Sequence, residues 1–107
     1  MIVLTIKRKW FDMIKSGEKK EEYREIKPYY TSRFKNYLPR VNNFRAKEWI
    51  YSQIIVIFRN GYRADSPKIK CKCLLKYGQG KEKWGAEPNK EYYILEILKI
   101  VGGEDER

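Results

Sequence analysis

Apolar positions fall into short runs whose period changes along the chain. Ile2 to Ile6 is brief, β-branched and alternating, which predicts a first strand. Within Lys9 to Ser16, Trp10, Met13 and Ile14 recur at i, i+3 and i+4 while Lys9, Asp12 and Lys15 turn outward, the spacing of an amphipathic helix. Gly17 supplies the left-handed residue that closes such a helix. On this pattern Trp10 and Met13 are core residues. Lys20 to Ile26 has the length of a strand but no apolar face, since Glu22 and Arg24 share one side and Glu21, Tyr23 and Glu25 the other. Charges suit an edge strand, where they discourage unwanted pairing. They equally suit a strand that lines a pocket.

Pro28 fits a first helical turn, and Tyr30, Phe34, Tyr37 and Leu38 then recur at i, i+4, i+7 and i+8 until Pro39 forbids continuation. From Arg40 to Glu48 the chain is polar and basic and reads as a loop that places Arg40, Arg45 and Lys47 in solvent. Trp49 to Phe58 is the longest apolar run; its Ile54, Ile55, Val56 and Ile57 predict a central strand buried on both faces. Asn60 and Gly61, then Asp65, Ser66 and Pro67, mark two turns. Lys68 to Tyr77 alternates cleanly. Ile69, Cys71, Cys73, Leu75 and Tyr77 form a packing face, and Lys68, Lys70, Lys72 and Lys76 form a positive stripe that serves either phosphate binding or protection of the sheet. A glycine-bearing loop from Gly78 to Lys90 leads to a closing strand, Tyr92 to Val101. Strand, helix, strand, helix and three strands predict an α+β fold, a small and mostly antiparallel barrel with two helices at its ends.

Composition narrows the chemistry. At 107 residues the chain fits one domain, taken as residues 1–102 with a disordered acidic tail at 103–107. The absence of histidine removes histidine-dependent triads, histidine general bases and most zinc sites. The only two cysteines, Cys71 and Cys73, point the same way on a strand, which suits small core residues better than a disulfide, so neither metal nor cofactor is expected. No run approaches the roughly 18 apolar residues of a membrane helix, and no signal core is present at the start, so the expected location is the cytoplasm with no membrane partner. The net charge of +10 points to nucleic acid. Because Glu104 to Arg107 is net negative, that excess belongs to the body of the fold; a merely basic surface is the plain alternative.

Residues 17–24 read GEKKEEYR and place Gly17, Lys19, Glu22 and Arg24 where the first helix meets the charged strand. Lys19 and Arg24 offer cationic donors for phosphate, Glu22 accepts from a base amine, and Tyr23, Tyr62 or Trp84 could stack an unpaired base. The plain alternative is that Glu22 pairs with Lys19 or Arg24 at the barrel mouth, a surface contact contributing ~0 to 1 kcal/mol.

At this motif the sequence resembles the ASCH family, related to the PUA RNA-binding fold and marked by GxKxxExR directly after the first helix. FRNGY at 58–62, with Arg59, Asn60 and Tyr62, and the spacing of Trp84, Gly85 and Pro88 resemble small ASCH proteins of phage and prophage type. The likeness runs from about Ile2 to about Val101. It implies a PUA-like β-barrel with a cleft at the motif that binds RNA, ahead of DNA, or a modified nucleoside. Some members are amidohydrolases acting on acylated cytidine, and others cleave RNA. The resemblance puts their motif lysine at Lys19, whereas their threonine nucleophile, three positions on, is Glu22 here. Lys19 and Glu22 are therefore the catalytic candidates only if the chain is an enzyme. A protein-interaction domain contacting partners through exposed tyrosines is a third reading.

Overall fold

The structure is a computed structural model that describes residues 1–43 and 48–103. Alternation along the strands builds one sheet. β1 (Ile2–Thr5), β5 (Gln53–Arg59), β6 (Lys68–Gln79), β7 (Glu91–Gly103) and β2 (Glu21–Glu25) lie side by side in the order β1-β5-β6-β7-β2. The β1–β5 pair is parallel and the other three are antiparallel, which gives a mixed, half-barrel α+β sheet. A separate antiparallel pair joins β3 (Arg40–Asn43) to β4 (Glu48–Ile50).

The first expected helix is α1 (Arg8–Ser16), closed by Gly17 at φ 86°, whose N–H reaches the Ile14 carbonyl. Its buried residues are Phe11 and Ile14; Trp10 packs at the flank and Met13 is half-buried, so the core stripe sits one position round from the expected one. The second is α2 (Pro28–Phe34), extended by a 3₁₀ turn over Lys35–Tyr37. Phe34 is fully buried, and Tyr30, Tyr37 and Leu38 pack, partly buried, against the same core as the spacing predicts.

The core fills from one face of the sheet. Ile54, Val56 and Phe58 of β5 meet Ile69, Cys71, Cys73 and Leu75 of β6, with Phe11, Ile14 and Phe34 laid over them. Three sequence expectations are revised. β5 is buried on one face only, with Ile55 and Ile57 half-exposed, and β6 rather than β5 is the central strand. The run from Trp49 to Phe58 is broken at Tyr51 and Ser52 into β4 and β5. The expected loop at 40–48 contributes β3 and the start of β4 at its ends; Arg45 and Lys47 lie outside the described residues, as does the acidic tail beyond Gly103, which itself ends β7.

Near its start β7 is buried on both faces. Tyr93 and Leu95 face the main core, while Tyr92 and Ile94 form a second small cluster with Ala86 and Tyr23. Among the described residues, no helix is long and apolar enough to cross a membrane.

Cys71 and Cys73 are free, fully buried thiols on the packing face of β6. Burial pushes the Cys71 thiol from 9.0 up to about 11 and raises Cys73 as well. Both thiols are therefore expected to resist Ellman's reagent in native protein and react only on unfolding. The native state also retains protons that the unfolded chain releases, so stability from Cys71 is intact below pH 9.0 and declines as pH rises toward about 11. Chemical denaturation across that window, against a Cys71→Ala control, measures the loss; stoichiometric labelling of folded protein would contradict the packing.

Candidate functional site

The motif residues converge because the α1 cap reverses the chain. After Gly17, the Lys19 N–H bonds to the Met13 carbonyl at 2.9 Å, and the Lys20 carbonyl accepts from Ile97 N–H at 2.9 Å, which delivers the chain into β2 beside β7. The strand is both things its charges allowed, an edge of the sheet and a wall of a cleft. Its register places Glu22 opposite Leu95 and Arg24 opposite Tyr93, so both acidic and basic side chains lie on the core-facing side of an edge strand.

Glu22 is clamped between two cations. One carboxylate oxygen lies 3.3 Å from Lys19 Nζ and the other 3.0 Å from Arg24 Nη2. Lys19, only 1% exposed, also donates to the Trp84 carbonyl at 2.6 Å and lies 4.6 Å and 5.0 Å from the ring centroids of Trp10 and Tyr23. Arg24 donates to the Tyr30 hydroxyl and to the Thr5 carbonyl, each at 3.1 Å. The last of these reaches from β2 to β1 and spans the open side of the sheet. Arg24 Nε is buried without a hydrogen-bond partner among the described residues. Burial lowers the pKa of Lys19, and the adjoining Glu22 carboxylate opposes that shift.

Above this triad lies a cleft of about 370 Å³, within the ~300–1,000 Å³ common for small-molecule pockets. Five aromatic residues, Trp10, Tyr23, Tyr30, Trp84 and Tyr92, line it among charged ones. Two of these rings, Trp84 and Tyr92, are buried, each 6% exposed, so the expected stacking face of Trp84 is largely covered. The 3₁₀ turn Glu82–Trp84 presents Trp84, and Gly85, at φ 99°, lets it approach Trp10, whose ring lies 3.0 Å from where a Cβ would sit. Tyr23 is fixed by its hydroxyl, which donates to Glu21 at 2.7 Å and accepts from the Lys81 N–H at 2.9 Å. The rim is electrically balanced. Lys90 lies 3.4 Å from Glu25 and 3.2 Å from Glu87, and these carboxylates hold its pKa above the ordinary value.

Of the residues singled out by sequence, Lys19, Glu22, Tyr23, Arg24 and Trp84 gather here. Lys19 lies behind the cleft through Glu22 rather than in its lining, and Gly17 does not join it; Gly17 caps α1 and borders a different surface depression with Lys19, Lys20 and Leu98. Asn60 donates to the Ile6 carbonyl at 2.9 Å and shapes a turn, and Arg59 and Tyr62 line an adjoining cleft of about 270 Å³ that shares Arg24 and Tyr30 with the first. Sequence reasoning assigned Trp10 to the core and gave Tyr30 and Tyr92 no role at the site. Helical spacing put Trp10 on the buried stripe, and only the position of the 80s loop reveals that its flank is a wall. The lysine stripe on β6 is partly committed to structure, since Lys68 caps the Ala64 and Ser66 carbonyls and Lys76 pairs with Glu96 at 3.0 Å.

The arrangement can present a carboxylate acceptor at the foot of an aromatic slot with two cations behind it. Among the described residues, no group of three or more His, Cys, Asp or Glu is placed to hold a metal ion. Compared with protein-family models, curated proteins and solved structures, the chain matches none.

The Lys19–Glu22 pair is buried, which revises the expected surface contact. Breaking such a pair strands a charge and costs about 3 to 5 kcal/mol. Glu22→Ala is expected to destabilise by that amount in urea titrations, while the apolar triple variant Lys19→Met, Glu22→Leu, Arg24→Met recovers most of the loss. An unchanged midpoint for Glu22→Ala would show that the carboxylate is not buried. Gly80→Ala should cost about 1 to 3 kcal/mol by overpacking, because its Cβ would fall 2.6 Å from the Tyr23 ring and 2.7 Å from Ala86 Cβ.

Proposed function

We propose that this chain is a small nucleic-acid-binding module, a PUA-like domain of ASCH type, that takes an unstacked base of single-stranded or structured RNA into the aromatic cleft. The observation that carries this reading is a concave slot where the half-buried rings of Trp10, Tyr23 and Tyr30 stand beside the clamped Glu22 carboxylate. Stacking on such rings contributes about 1 to 3 kcal/mol per base. Each Glu22 oxygen uses one cation and retains acceptor capacity for an exocyclic amine. The net charge of +10 adds sequence-independent attraction to the backbone. The sequence likeness to ASCH proteins at Gly17, Lys19, Glu22 and Arg24 supports the same assignment.

Fluorescence anisotropy with a short labelled single-stranded RNA tests it. Binding should weaken steeply with salt and be stronger than for a duplex, whose bases are stacked. Trp10→Ala should weaken it by about 1 to 3 kcal/mol, roughly 5- to 150-fold, and Arg24→Ala should weaken it further. No binding at about 50 mM salt and micromolar protein, where phosphate contacts are least screened, would overturn the proposal.

A second reading is hydrolysis of a modified nucleoside, such as an acylated cytidine amide, or of the RNA backbone. It is favoured by one observation, the burial of Lys19 beside Glu22, which disfavours the charged ammonium as a general base requires, although Nζ is already held by the Trp84 carbonyl and Glu22. Release of free cytidine and carboxylic acid from acylated cytidine by wild type, and its loss in Lys19→Met, would favour catalysis; unchanged substrate with wild type leaves binding as the activity.

A further inference from the structure

The basic charge is divided unequally between the two adjoining clefts. In the aromatic cleft Glu22, Glu25 and Glu87 offset Arg24, Lys27 and Lys90. The second cleft is lined by Arg24, Arg33 and Arg59 and by no carboxylate. Among the described residues, neither Arg33 nor Arg59 lies within ion-pair distance of an acid; Arg33 donates to the Tyr29 hydroxyl and the Val3 carbonyl, and Arg59 to Thr5 Oγ1.

These three guanidiniums are held in place. Arg24 and Arg33 donate to the outward carbonyls of Thr5 and Val3 on edge strand β1, each at 3.1 Å, and Arg59 Nε donates to Thr5 Oγ1 at 3.0 Å. Each also lies over a tyrosine ring. Arg24 is 5.6 Å from the centroid of Tyr30, Arg33 is 5.5 Å from Tyr29, and Arg59 is 5.4 Å from Tyr62. A guanidinium has five N–H donors in a planar fork, and Arg59 spends one of them in the fold. Arg24 is already paired with Glu22, but the pinned forks of Arg33 and Arg59, with no acid paired to them among the described residues, form a site for a doubly oxygenated anion, which a guanidinium meets bidentately.

We infer that the arginine cleft is the phosphate subsite of the ligand whose base enters the aromatic cleft, with Arg24 and Tyr30 as the shared wall. Phosphate is favoured over a peptide carboxylate because the two clefts are contiguous and of complementary character, one slot of stacking rings and one of cations, as a nucleotide unit requires. The identity of the anion rests on the nucleic-acid reading; the anion site itself does not.

The test measures two probes, a short fluorescein-labelled single-stranded RNA and inorganic pyrophosphate, on wild type and on the Arg33→Gln, Arg59→Gln double variant. For RNA, the double variant should bind about tenfold or more weakly, and the slope of log affinity against log salt should flatten by about 0.7 for each lost phosphate contact. Trp10→Ala should weaken binding without changing that slope. Pyrophosphate should bind wild type and not the double variant. A folded double variant with unchanged RNA slope and unchanged pyrophosphate binding overturns the subsite while leaving RNA binding intact. Wild type that binds pyrophosphate through these arginines but no RNA overturns the nucleic-acid reading and retains the anion site. If the double variant does not fold, Arg59→Gln alone, which removes one hydrogen bond to Thr5, carries the same test with half the slope change.

Discussion

A buried carboxylate must be compensated where it lies, and in this chain that requirement organises everything around the cleft. Glu22 sits on the core-facing side of an edge strand, opposite Leu95, and is neutralised by Lys19 from the preceding turn and Arg24 from two residues on. Each cation is anchored elsewhere in turn. Lys19 holds the Trp84 carbonyl, and Arg24 holds the Thr5 carbonyl and the Tyr30 hydroxyl. One acid therefore ties α1, β2, the 80s turn, β1 and α2 together. Without it, the open side of the sheet between β1 and β2 would lose the side-chain link that Arg24 provides.

Apolar residues of similar volume can replace a buried ion network at little or no cost in stability. Stability alone therefore gives no reason for the triad. Its position is more telling, because the clamped carboxylate is a fixed acceptor that lines the cleft with two cations beside it. Lys19 is specialised for holding this geometry. Its Nζ is enclosed by a carbonyl, a carboxylate and two ring faces, which fixes it as a positioning charge in the resting fold.

Local pattern made much of this readable and long-range contact hid the rest. Alternation in β6 gave its buried face from Ile69 to Leu75 but not at Tyr77, which is exposed, while Pro28 and the Tyr30–Phe34 spacing gave α2, and Gly17 gave the end of α1, because each depends on neighbours a few residues apart. The parallel pairing of β1 with β5 joins residues more than fifty positions apart, and nothing in either strand announces it. The same limit explains the errors. Ile54 to Ile57 reads as doubly buried because β-branched residues favour strands whatever covers them, whereas only contact decides that Ile55 and Ile57 are half-exposed. The motif itself was legible as a charged strand without an apolar face, an inconsistency with a small core that a site resolves. Trp10 was not, since a tryptophan at helical spacing looks alike whether its outer edge meets packing or a cleft.

A basic protein need not be basic where it recognises a ligand, and the excess charge here is spatially sorted. In the lining of the aromatic slot, Glu22, Glu25 and Glu87 match Arg24, Lys27 and Lys90 in number. Beside it, arginines laid over tyrosines along the β1 edge keep their charge unpaired. Arg24 belongs to both environments: it neutralises Glu22 on one side, faces the cationic cleft on the other, and carries a buried Nε donor with no partner among the described residues. A ligand oxygen or ordered water that satisfies Nε would remove the cost of an orphaned donor at the boundary of the two clefts. The residue that closes the sheet is thus also one that lines both clefts.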